Sequence, residues 1–79
     1  MNYNQRYKIE KFIISIEKMI DESEQIKETL EKQYKSLSEP GRLTEAGEKL
    51  SEEVSKLDTG IFYLGKSKDA FQIASSELC

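Results

Sequence analysis

The sequence predicts an all-α fold, a two-helix antiparallel hairpin, and three observations carry that prediction. The only proline stands at the midpoint of the 79-residue chain, in Ser38-Glu39-Pro40-Gly41-Arg42, with a glycine directly after it. Proline removes a backbone donor and restricts the residue before it, while glycine frees the chain to reverse. On each side of this break the apolar residues recur at helical spacing. A composition of 34% charged and 37% hydrophobic residues, rich in Glu, Lys, Leu, Ile and Ser, suits long amphipathic helices. The chain is therefore expected to form one domain over residues 1–79, with helices near 6–37 and 42–77 and a turn at 38–41.

In the first helix, a seven-residue count from Ile9 gives Ile9, Ile16, Ser23, Leu30 and Leu37. The row three residues further on gives Phe12, Met19, Ile26 and Gln33, and Ile13, Ile20 and Tyr34 widen the stripe. Together these rows predict one apolar seam, thin in the middle where Ser23 and Lys27 sit beside it. Glu28 with Lys32 and Glu31 with Lys35 are acid-before-base pairs four apart that support an exposed helix face. Such a helix would reach about 48 Å. It has to pack, because one apolar face on so long a helix cannot stay in water.

The second helix has the cleaner repeat: Leu43, Leu50, Leu57, Leu64, Phe71 and Leu78, every seven residues. The row four after each gives Gly47, Val54, Ile61, Lys68 and Ser75. Thr44 is a candidate N-cap of the second helix, with Ser38 as the alternative, which would put Pro40 in its first turn. Phe62, Tyr63 and Ile73 fall off the main stripe, so the apolar surface is wider than one partner helix needs.

A core of this size rarely supplies more than about 3–5 kcal/mol. The single cysteine, Cys79, cannot form an intrachain disulfide, and without histidine no structural zinc site or other cofactor is expected. Self-association into a four-helix bundle or a larger helical oligomer is the expected source of the missing stability. Cys79 has no basic neighbour to activate its thiol.

The net charge of −3 lies wholly in the second half: residues 1–37 hold seven basic and seven acidic side chains, residues 38–79 five and eight. That balance argues against nonspecific nucleic-acid binding, which needs a basic face. No stretch approaches the roughly 20 apolar residues of a membrane span. The start, Met1-Asn2-Tyr3-Asn4-Gln5-Arg6, lacks an apolar signal core, so a cytoplasmic protein is expected.

Gly60-Ile61-Phe62-Tyr63-Leu64-Gly65-Lys66-Ser67 matches the phosphate-loop pattern, in which backbone amides cradle phosphates, lysine meets the outer phosphates and serine binds magnesium. The context predicts a helix instead. Glu53 to Asp58 read as helix rather than as a buried strand, the four inner residues are all large and apolar, and the leucine row runs straight through. No nucleophile–base pair is visible either, so no enzyme is expected.

The candidate docking residues are those that widen the stripe: Phe12, Ile13, Phe62, Tyr63, Phe71 and Ile73. They suit a non-enzymatic interaction protein, an adaptor or inhibitor of the kind found among phage and bacterial accessory proteins, binding another protein or itself. A second set, Tyr3, Tyr7, Lys66 and Ser67, offers aromatic stacking and an anion contact for a small nucleotide held between protomers.

Two families share features with these residues. Tyr63-Leu64-Gly65-Lys66-Ser67, followed by Asp69-Ala70-Phe71 and Ala74, resembles the last helix of phage helical-hairpin sponges, oligomers that sequester cyclic-nucleotide signals of bacterial immunity. The resemblance implies a multimer with Lys66 and Ser67 as ligand contacts, although Gln72 and Ile73 replace the aromatic pattern usual in that family. The layout of two helices, a glycine-containing turn and an apolar patch near Ser55 to Ile61 is similar to the helical-hairpin co-chaperones of type III secretion. That similarity implies architecture and a chaperone-like partner only.

Overall fold

The computed structural model describes residues 3–78, as two long antiparallel helices joined by a single helical turn. Helix α1 spans Tyr3–Ser36, α2 Glu39–Arg42 and α3 Glu45–Glu77. The pair forms a rod of 61 × 14 × 12 Å. Its radius of gyration is 17.7 Å, against about 11.6 Å for a compact chain of this length.

The reversal is built from two caps. Ser38, in an extended conformation, caps α2, and its hydroxyl accepts from the Gly41 amide at 3.4 Å while Pro40 sits in the first turn. Thr44 caps α3, accepting from the Gly47 amide at 3.4 Å, and Glu45 and Glu48 place acid in the first turn, as the helix dipole favours. Thr44, the first of the two alternative caps expected for the second helix, caps α3, while Ser38 caps a separate one-turn helix that stands where the turn at 38–41 was expected. Arg42 ties this turn to α1: its Nη2 donates to the Lys35 carbonyl at 3.2 Å, and its guanidinium lies 5.4 Å from the Tyr34 ring centre.

The buried seam differs from the expectation on α1. The row four residues after Ile9 (Ile13, Ile20, Lys27, Tyr34) turns inward, and Phe12, Met19, Ile26 and Gln33 stay exposed. Each row holds three apolar residues and one polar one. Only the inward row gives its polar member a counter-charge: Lys27 Nζ lies 2.5 Å from Asp58 Oδ1 of α3 and 3.8 Å from Glu31 Oε1. On α3, Leu50, Leu57, Leu64, Phe71 and Leu78 are half-buried as expected, with Gly47 and Ser75 buried in the companion row. Leu43 departs from its row. It follows α2 rather than entering α3, so it loses the helical phase and is 82% exposed.

The core is thin. Ile16, at 8% exposure, is the one buried apolar side chain among the described residues.

Lys27 is also the group through which pH acts on this seam. Its hydrogen bond to Asp58 raises its pKa above the ordinary 10.5; partial burial opposes this, and the charges of Asp58, Glu31 and Glu24 add to it. A raised folded-state pKa contributes stability below the unfolded value and loses it as pH rises through the folded one. Wild-type protein should therefore lose stability relative to a Lys27→Met variant as pH rises past 10.5, read by urea unfolding of the two side by side. An unchanged difference would remove Lys27 from the seam's electrostatics.

Candidate protein-interaction surface

The seam divides the rod into two unlike edges. Along α1, Glu10, Glu17, Glu24 and Glu31 recur every seven residues on the side where Lys27 meets Asp58. On the other side, also every seven residues, stand Phe12, Met19 and Ile26, each 48–53% exposed. Phe12 marks this edge against α3, its ring lying 5.7 Å from that of Phe71 at a 55° tilt. The α3 residues that border the same edge are small: Gly60, Ser67 and Ala74, again seven apart. Between Phe12 and Ile26 on α1, and Gly60 and Ala74 on α3, neither of these rows carries a charge.

A second apolar patch covers the part of α3 turned away from the seam. Phe62, Tyr63 and Ile73 are 58–62% exposed. The Phe62 and Tyr63 rings meet edge to face at 5.4 Å, and Lys66 Nζ lies 5.1 Å from the Phe62 ring centre. This patch therefore has a pre-packed aromatic pair with a cation on its rim, features common at protein contacts.

Of the six docking candidates, Phe62 and Tyr63 form the aromatic pair of this patch, Ile73 lies on the same outer side of α3 about 15 Å further along it, and Phe12 belongs to the apolar edge. Ile13 and Phe71 are half-buried in seam rows, so they pack the hairpin itself. Met19 and Ile26 join the exposed surface although their spacing assigned them to the seam. Their signal was present in the sequence, since two candidate companion rows flank Ile9 and Ile16 and only one can face α3.

The ligand candidates do not converge within one chain. Tyr3 and Tyr7 are exposed at the open end of the hairpin, where Lys11 Nζ lies 4.8 Å from the Tyr7 ring centre. Lys66 and Ser67 sit on α3 about ten helical residues from the level of Tyr7, or about 15 Å along the axis. A site using all four side chains would need residues from more than one protomer. Gly60 to Ser67 is helical throughout and no glycine has a positive φ, so the phosphate-loop pattern makes no loop. Its amides point along the helix rather than into a cradle.

Among the described residues no three His, Cys, Asp or Glu side chains are grouped to hold a metal, and Cys79 lies outside the described residues. Among the described residues no helix is long and apolar enough to cross a membrane. The chain matched no protein family, no curated protein and no solved structure.

Proposed function

We propose that this chain is a non-enzymatic helical-hairpin interaction module, an adaptor or inhibitor, that docks the Phe62-Tyr63-Ile73 face of α3 on another protein. One observation carries the reading. Three large apolar side chains are more than half exposed on a helix whose opposite side is already packed against α1. Apolar surface of this kind on a small domain marks an interaction site. Two of the three are aromatic, residue types enriched at binding hot spots, and their rings meet edge to face with Lys66 beside them. The surface is convex and ridge-like, which suits insertion into a partner's groove in the helix-in-groove manner.

The direct test replaces Phe62 with a photo-crosslinking aromatic residue in the cell that makes the protein. A discrete adduct, lost when Ile73→Ser is added, supports docking through this face. Phe62→Ser should weaken capture of that partner by tenfold or more, about 1.4 kcal/mol or above, while circular dichroism stays helical. A crosslinker at Lys32, on the outer side of α1, serves as the negative position. Equal adducts from both positions would end this assignment.

A further inference from the structure

We infer that a second copy of this chain covers the uncharged edge formed by Phe12, Met19, Ile26, Gly60, Ser67 and Ala74. The two copies would lie face to face with α1 of each over α3 of the other. This inference extends the interaction reading above to a different face and names its occupant, and the two are tested separately.

Area is the first support. The chain exposes 6092 Å², whereas a compact folded protein of 9.1 kDa exposes about 4900 Å². The surplus is about 1200 Å², and a stable dimer interface removes about 800 Å² from each partner. A second hairpin laid on this edge would remove much of that surplus.

Shape is the second support. In the hairpin, the Phe12–Phe71 and Lys27–Asp58 contacts of the antiparallel register bring Phe12 within a turn of the level of Ala74, Met19 of Ser67 and Ile26 of Gly60. A two-fold axis along the rod keeps every residue at its own level and exchanges the helices. Each long side chain of one copy then faces a small residue of the other, at three successive levels. Facing large with small is how helix layers interdigitate. A perpendicular two-fold axis would instead set Met19 on Met19 and Phe12 on Ile26.

Gly60 points the same way. A Cβ placed on it meets nothing within 4 Å, so the hairpin itself makes no use of the missing side chain. Glycine inside a helix is unfavourable, and a close helix approach is the usual compensation. Charge separates the two edges. The glutamate row would repel a second copy at Glu10, Glu17, Glu24 and Glu31, whereas the rows at the opposite edge carry no charge from Phe12 to Ile26 and from Gly60 to Ala74, the uncharged stretch ending at Glu53 one step before Gly60.

Sedimentation equilibrium tests this on the full chain. Wild type should sediment as a dimer. Gly60→Glu, which favours helix and has open space in the hairpin, should weaken the dimer by about a hundredfold by burying a charge. Met19→Glu should do the same with helicity retained, and Glu24→Lys on the other edge should leave the dimer intact. A wild-type monomer at every concentration would overturn the inference, as would a Gly60→Glu variant that still dimerises like wild type. Neither result touches the Phe62 crosslink, which reports on the other face and the other partner.

Discussion

Gly47→Ala should destabilise the hairpin by about 1–3 kcal/mol, although the same change in an ordinary helix interior is stabilising. The reason is the reversal. A Cβ on Gly47 would stand 2.6 Å from the Arg42 carbonyl oxygen, 2.7 Å from Arg42 Cα and 2.7 Å from the Gly41 carbonyl oxygen. All three are backbone atoms, so no side chain can swing aside. Relief would need α2 to move away from the start of α3, which strains the Thr44 cap and the Arg42 bond to Lys35. Gly65→Ala is the matched control. It meets no atom within 4 Å and should stabilise the isolated hairpin by up to about 1 kcal/mol through helix propensity. Urea unfolding of both variants gives the comparison, and a stabilised Gly47→Ala would contradict the geometry of the turn.

Ile16→Ala is the second large effect. Ile16 is the one buried apolar side chain among the described residues, and it lies in the seam row between Ile9 and Ser23. Removing it deletes buried methyl groups where the neighbouring row position, Ser23, adds little apolar contact. Core Ile→Ala changes cost about 2–5 kcal/mol, and a two-helix seam open on both sides can partly collapse, so about 2–3 kcal/mol is expected. The same change at Ile14, which is exposed on the outer face of α1, should alter stability by no more than about 0.5 kcal/mol. Thermal or urea unfolding separates the two, and equal effects would mean that the seam does not pass through Ile16.

These expectations rest on features that the sequence made legible to different degrees. The break at Ser38 to Arg42 and the leucine row from Leu50 to Leu78 were plain, because both depend on local chemistry: a missing donor, a helix cap and a strict seven-residue period. The choice between Phe12-Met19-Ile26 and Ile13-Ile20-Tyr34 was not legible. Each row holds three apolar residues and one polar one, and what sets the inward row apart is the cross-helix meeting of Lys27 with Asp58, a contact 31 positions apart in the chain. Leu43 continues the leucine spacing but lies before α3, and spacing cannot tell where a helix starts when two caps, Ser38 and Thr44, both operate. Phe62, Tyr63 and Ile73 could be read as surface residues because they depart from a clear row. Ile13 and Phe71, also named for docking, lie in rows, and their half-buried state follows from that position.

The central claim is that this hairpin leaves apolar surface uncovered that a second chain completes. Its most direct measurement is the melting midpoint by circular dichroism over a hundredfold range of protein concentration. Association that involves only folded chains makes the midpoint depend on concentration. The midpoint should rise with concentration for wild type and stay level for Gly60→Glu. A wild-type midpoint that does not move, in a protein that sediments as a 9.1 kDa monomer throughout, would contradict the claim.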